Sequence, residues 1–230
     1  MNSPETVQRY ARVTGAAMLL SIVFGALGEA YLPGLIVVRG DPMATAANIV
    51  EHPTLFRLSF AAYLVEGICD IALCVLFYIL LKPVDKNLAL FSAFFGIASM
   101  LMYAVSQSSW FAASLLVRDT AGMAAFTADQ RNALALFFMR FANTIAGLFI
   151  GLYGIATMIR GYLILRSRYL PKVLGALLIL GGTGFFLRNL TLLVAPAYSS
   201  NYMLLPMALG GIPLMLWLLI RGVDKDNLSR

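Results

Sequence analysis

Residues Leu58–Leu81 read LSFAAYLVEGICDIALCVLFYILL, with Glu66 and Asp70 the only charges, and Lys82-Pro83 closes the run. An α-helix rises about 1.5 Å per residue, so roughly 20 apolar residues cross about 30 Å of hydrocarbon. In lipid, backbone N–H and C=O groups must pair within the segment, so a run this long reads as a transmembrane helix and not as a strand. Five further runs are long and apolar enough to do the same: Val13–Leu32, Leu88–Val117, Ala133–Leu165, Val173–Val194 and Leu204–Ile220. The whole chain of 230 residues is 60% hydrophobic and 12% charged, with a mean hydropathy of +0.83. Those values exclude a disordered chain, a fibrous one and an ordinary soluble enzyme. Little sequence remains outside the runs. The expected fold is therefore all-α, a single six-helix transmembrane domain over residues 1–230 with no separate soluble domain.

The net charge of +6 is informative through its placement. Arg9 and Arg12 precede the first run, and Lys82 and Lys86 lie between the second and third. Arg160, Arg166, Arg168 and Lys172 lie between or beside the fourth and fifth, and Arg221, Lys225 and Arg230 follow the sixth. The opposite side carries only Arg39, Arg57, Arg118 and Arg131. The positive-inside rule puts both termini in the cytoplasm. No basic stripe follows a polar face, so no nucleic-acid partner is expected. The first apolar run is longer than a signal-peptide core and no small-x-small cleavage site precedes Glu29 and Pro33, so it reads as a retained span.

Two cysteines, Cys69 and Cys74, sit five apart in one helix and point to different faces, which argues against a disulfide. There is no Cys-x-x-Cys and only one histidine, His52. No metal and no cofactor is expected.

The first outer link, between Leu32 and Arg57, contains Gly40-Asp41-Pro42. Asp41 suits an N-cap and Pro42 the first helical position. Met43, Ala46, Ala47 and Val50 then recur at helical spacing, opposite Thr45, Asn48 and Glu51, and Pro53 stops the run. A short amphipathic helix on the outer membrane surface, a lid over the bundle, is expected there. In the second outer link Thr127-Ala128-Asp129-Gln130 forms a capping box, so the fourth helix should start near Ala128. It then exceeds the bilayer thickness and must tilt or project. Gly147 and Gly151, with Gly154 a turn on, favour a close helix contact.

Four stretches resemble a known family. They are Arg9-Tyr10-Ala11-Arg12 with Gly15; Gly40-Asp41 with Ala44-Thr45-Ala46-Ala47-Asn48-Ile49; Cys69-Asp70-Ile71-Ala72-Leu73 leading to Tyr78-Ile79-Leu80-Leu81-Lys82-Pro83-Val84 and Leu88-Ala89-Leu90; and Gly161-Tyr162-Leu163 with Arg166-Ser167, Tyr169-Leu170-Pro171 and Leu174-Gly175. Together, over about residues 9–195, they resemble the bacterial membrane-protein family known as domain of unknown function 4386. The resemblance implies a six-helix protein of the bacterial cytoplasmic membrane and implies no activity.

Ionisable residues inside spans carry the functional information, because a charge at the bilayer centre costs about 2.5–3.5 kcal/mol even on insertion scales. Depth can be counted from each inner basic boundary. Arg12 to Glu29, Lys82 back to Glu66, and Lys172 to Arg188 each correspond to about 24–25 Å of helix. Asn189 follows Arg188 directly, and Asn143 reaches a similar height if Arg160 marks the inner edge. Gln107 approaches the same layer from its outer side, and Asp70 lies one turn deeper than Glu66 on the same face. Arg140, counted likewise, snorkels to the outer surface. The candidate layer is therefore Glu29, Glu66, Asp70, Arg188, Asn189, Asn143, Gln107 and Arg140, with Arg188 expected to pair with Glu29, Glu66 or both.

Three function classes fit. In the first, the layer lines an outward-facing polar pocket that binds, or transports with proton coupling, a small solute or ion. In the second, the charges form a buried salt-bridge layer that fixes helix register in a structural, lipid-associated or partner-associated protein. The third is an intramembrane enzyme on a lipid substrate with Glu66 and Asp70 as acid and base; the absence of His pairs, metal ligands and a nucleophile motif weighs against it, and no catalytic residue is assigned. Membrane lipids are the expected surroundings in all three, and the sequence sets no oligomeric state.

Overall fold

The structure, a computed structural model, describes residues 3–38, 41–118, 123 and 125–224. Arg39, Gly40, Lys225 and Arg230, which entered the charge and link readings, lie outside the described residues. Among the described residues the chain is helical, with no strand. Helix α1 covers Pro4–Gly34, α2 Pro42–Glu51, α3 Pro53–Leu81, α4 Lys86–Val117, α5 Ala128–Arg166, α6 Lys172–Val194 and α7 Leu205–Ile220, the last entered through a tight 3-10 turn at Asn201–Leu204. All but α2 are long and apolar enough to cross a membrane. Their unburied faces suit lipid: Leu64, Ile68, Ile71 and Val75 form an exposed apolar stripe on α3, and Phe91, Phe94 and Leu101 lie exposed on α4.

Helix starts follow the local chemistry. The Asp41 carboxylate accepts from Ala44 N at 2.9 Å and opens α2. At α5 the Thr127 hydroxyl accepts from Gln130 N at 3.3 Å while Gln130 Oε1 accepts from Thr127 N at 2.9 Å, a reciprocal capping box. With 39 residues, α5 spans about 58 Å along its axis and exceeds the hydrocarbon thickness.

Helix α1 is not uniform. Ala26–Tyr31 forms a π-helical turn closed by Leu32 N–H donating to Leu27 O. Pro33 accounts for it. Proline has no N–H to offer the carbonyl four residues back, at Glu29, and its ring presses on that carbonyl. Widening the preceding turn relieves the clash at the cost of one regular hydrogen bond, and such bulges recur at functional sites.

The chain divides into two compact units. Unit 1 comprises Met1–Leu20, Cys69–Leu101 and Gly147–Arg230; unit 2 comprises Ser21–Ile68 and Met102–Ala146.

In unit 1, α5 and α6 approach through glycine. A Cβ on Gly154 would lie 2.7 Å from Gly182 O, and one on Gly161 would lie 2.6 Å from Gly175 O, so any side chain there would push the backbones apart. The Gly147/Gly151 pair does something more specific: it seats the Asn189 side chain. At the chain ends Gln8 Nε2 donates to Arg221 O at 2.9 Å and Gln8 Oε1 accepts from Val223 N at 2.8 Å. Gly222 between them adopts φ +72°, which ends α7 in the left-handed conformation that glycine tolerates best. The Tyr169 hydroxyl donates to Leu80 O at 2.5 Å, satisfying one of the last carbonyls of α3. Burial pushes the Tyr169 phenol pKa above its usual value.

In unit 2, α2 is fastened over an apolar core. Ile49 is fully buried with Ile36, Phe56, Ala113, Leu116, Ala135 and Met139. Asn48 Nδ2 donates to Ile36 O at 2.9 Å, and the Thr45 hydroxyl accepts from Val38 N at 3.0 Å. The face that packs inward is therefore Thr45, Ala46 and Ile49, whereas Met43, Ala47 and Val50 point outward. Spacing grouped Ala46 with Met43, Ala47 and Val50 on one apolar face; in the structure Ala46 is buried beside Thr45 and Ile49, and the other three are exposed.

Candidate functional site

The buried carboxylate of unit 2 is Glu66, on α3, with 8% of its surface exposed. The Tyr103 hydroxyl, on α4, donates to Glu66 Oε2 at 2.5 Å, short even for a charge-assisted O–H···O bond. Space for the carboxyl group comes from Gly25 on α1, just before the π turn: a Cβ there would lie 2.5 Å from Glu66 Oε1. The π turn itself is held by Ser59, whose hydroxyl donates to Gly28 O at 3.0 Å, and Gly28 packs against Ala62 and Tyr63. Tyr63 stands edge-on to Tyr103 with ring centroids 5.8 Å apart. Its hydroxyl pairs with the Gln107 side chain and lies within the electrostatic reach of both Glu29 and Glu66.

One helical turn further along α3 and α4 the same side chains floor a narrow slot of about 20 Å³, room for about one water molecule. Ser59, Tyr63 and Gln107 supply its polar surface; Pro33, Ile36, Val37, Ile49, Phe56, Phe60 and Trp110 supply the rest. Phe60 leans on Phe111 at 4.9 Å and Phe56 meets Trp110 edge-on at 6.5 Å, which fixes the ring walls. Gln107 Oε1 is buried with no hydrogen-bond partner among the described residues.

Among the described residues unit 1 holds two more buried acidic or basic side chains, Asp70 and Arg160, the second of which sequence reading set beside the inner basic residues. Arg160 is 3% exposed. Its Nε donates to Ser92 Oγ at 3.2 Å and its Nη2 reaches Cys74 Sγ at 3.6 Å. The guanidinium lies 4.9 Å from the Phe77 ring centroid and 5.7 Å from that of Tyr153. The Ser92 hydroxyl donates in turn to Ala156 O at 3.0 Å. Gly96 leaves the room, since a Cβ there would stand 2.9 Å from Arg160 Nη2. Arg160 is thus enclosed by protein, which a depth count from Arg160 as an inner edge did not foresee. Gly96 opposite an otherwise apolar turn was the available signal, and it is a weak one.

The layer residues fall into several environments. Glu66 and Gln107 come together in unit 2 through Tyr63 and Tyr103. Glu29 is exposed, on the π turn of the same unit. Arg140 and Asn143 are exposed on α5. Asp70 is buried in unit 1, within electrostatic reach of Cys74 and Tyr153. Arg188, also in unit 1, donates from Nη2 to Asn201 Oδ1 at 3.3 Å, and its Nε is buried without a partner among the described residues. Asn189 is buried against Gly147 and Gly151. Sequence reading missed Tyr63 and Tyr103, because a tyrosine in an apolar run reads as packing until its hydroxyl's neighbour is known. Among the described residues no group of His, Cys, Asp and Glu side chains is arranged to hold a metal ion.

Six membrane-length helices around buried polar groups define a multi-pass integral membrane protein, with lipid against its apolar faces. The chain belongs to the family described as domain of unknown function (DUF4386), whose model matches residues 13–222. No curated protein and no solved structure matches it.

Proposed function

We propose that this protein binds a small ion or a proton-carrying water in the unit 2 slot and couples occupancy to the protonation of Glu66. The observation that carries the reading is the Tyr103–Glu66 hydrogen bond one turn from the slot floor. A buried carboxyl group that accepts from a phenol exchanges a proton with large consequences for its neighbours, because the low dielectric strengthens every charge nearby. The groups facing it are Glu29 from α1, Tyr63 from α3 and Tyr103 from α4. The basic distribution of the links supports a bacterial cytoplasmic-membrane protein with both termini in the cytoplasm, which makes the slot outward-facing under α2.

The test is thermal unfolding of the protein in nanodiscs across about pH 4 to 9, for wild type and Glu66→Gln. The wild-type midpoint should change with pH more than the variant's. Superimposable pH profiles would overturn the proton coupling. The sealed surroundings of Arg160 favour a second, structural reading for that residue alone: a fixed charge that sets helix register in unit 1.

A further inference from the structure

We infer that the link between α5 and α6 binds the headgroup phosphate of an anionic phospholipid. The inference concerns unit 1 and is independent of the unit 2 reading. Arg166 ends α5, Lys172 opens α6, and Arg168 lies between them. All three are exposed, and with Leu165, Ser167 and Leu170 they line an open notch of about 590 Å³. Sites for small molecules commonly measure about 300–1,000 Å³. Among the described residues no acidic side chain lines this notch. Asp224 touches the link through its N–H, which donates to Tyr169 O at 3.0 Å, and does not line the notch.

The cations stand on a fixed frame. The backbones of α5 and α6 meet just above the link, where a Cβ on Gly175 would lie 2.6 Å from Gly161 O. Ser167 and Leu170 are buried, the Ser167 hydroxyl donates to Ile164 O at 2.8 Å, and the Tyr169 hydroxyl is anchored on Leu80 O. Arg166 lies over the Tyr162 ring, 5.7 Å from its centroid. Three like charges held on one short link repel each other, and a bound anion relieves that repulsion. Guanidinium and ammonium N–H groups are the donors that a phosphate accepts best.

The surroundings of the notch select a lipid over a free anion. The link joins two membrane-length helices, which puts it at the membrane–water boundary. Val173, Ala176 and Leu180 form one exposed apolar stripe that climbs α6 from Lys172. A headgroup phosphate seated in the notch therefore leaves its acyl chains along that stripe. A zwitterionic headgroup brings its own ammonium towards three cations and gains less.

The full chain, stripped of lipid in a neutral detergent, is titrated with phosphatidylglycerol, phosphatidylcholine and glycerophosphate, and bound copies are counted by native mass spectrometry. Phosphatidylglycerol should bind saturably and at least about fivefold more tightly than phosphatidylcholine. Arg168→Gln/Lys172→Gln leaves the Arg166–Tyr162 contact in place and should weaken phosphatidylglycerol roughly tenfold or more, since each cation near a lipid surface contributes about fivefold. Lys82→Gln/Lys86→Gln removes the same charge from the α3–α4 turn, outside the notch, and should change the affinity by less than about twofold. If the notch double variant does not fold, Arg168→Gln alone carries the test, with a loss of about fivefold. Equal affinity for the two phospholipids, or equal losses in the two double variants, would overturn the site. Glycerophosphate binding as tightly as phosphatidylglycerol would overturn the lipid assignment, because the acyl chains would then contribute nothing.

Discussion

Glu66 in unit 2 and Arg160 in unit 1 are both buried charges in membrane-length helices, yet their surroundings differ in kind. Glu66 accepts from the Tyr103 hydroxyl, and one turn away the same helices border a small slot whose buried acceptor has no partner among the described residues. Arg160 is enclosed: Ser92 and Cys74, each 2% exposed, take two of its N–H groups and two rings cover its plane. A carboxyl group can shed its charge by taking a proton, and its partner and slot make that change matter. A guanidinium cannot. It must be satisfied once, at folding, and it then acts as a fixed strut. The carboxyl group of Glu66 sits beside the cavity, whereas in unit 1 the permanent charge of Arg160 shares its neighbours Cys74 and Tyr153 with the buried carboxyl group of Asp70.

The largest expected effect breaks the sealed centre. Arg160→Ala should destabilise the protein by roughly 2–5 kcal/mol, since it removes a buried side chain and strands the groups that faced it. Arg160→Met, close in volume, separates the two contributions: a strut whose charge matters stays destabilised in a denaturant series, whereas full recovery would show that only packing mattered and would erase the contrast with Glu66.

A smaller effect sharpens the other side. Gly25→Ala places a methyl group against Glu66 Oε1 and should cost about 1–3 kcal/mol of stability, as overpacking does. Combined with Glu66→Ala the penalty should shrink, a coupling read from a double-mutant cycle. Additive losses would mean that Gly25 does not hold the carboxylate's place.

The smallest effect concerns Tyr169, whose hydroxyl donates at the same 2.5 Å as Tyr103 but to a neutral carbonyl. Tyr169→Phe should cost about 1 kcal/mol, less than the loss from Tyr103→Phe, whose acceptor is a carboxyl group. The sign with pH follows from burial, which raises the folded phenol's pKa. The folded state then holds its proton at a pH where the unfolded chain, titrating at about 10, has lost it. Stability should therefore fall as pH rises through about 10, and this component of the fall should be missing in Tyr169→Phe. Equal losses for the two phenylalanine variants at neutral pH would deny that the carboxyl acceptor makes the Tyr103 bond stronger.

Local chemistry was legible wherever a short span of chain contains both partners. Asp41 and its acceptor role three residues on, and the Thr127/Gln130 box, are written into consecutive positions and appear as hydrogen bonds. Depth was half legible. Counting residues placed Glu66 and Gln107 near one height, but a count gives no rotation, so it could not distinguish buried Glu66 from exposed Glu29, Arg140 and Asn143. It also set Arg160 among the inner basic residues and gave no sign that Ser92, Gly96 and Phe77 enclose it.

The sequence by itself determined that this is a six-span helical membrane protein, where several helices begin, and that α2 exists between the first two spans. Those features depend on hydropathy summed along one segment and on capping groups a few residues apart, quantities that do not need a neighbour. Only the tertiary structure decided which charges are enclosed, that Gly25 and Gly96 make room for them, that Pro33 widens α1 into a π turn over Ser59, and that Tyr63 floors the slot while Tyr103 holds Glu66. Each of those is a contact between helices far apart in the chain, and an apolar run is nearly uniform around its circumference, so its composition carries almost no record of which face meets which partner.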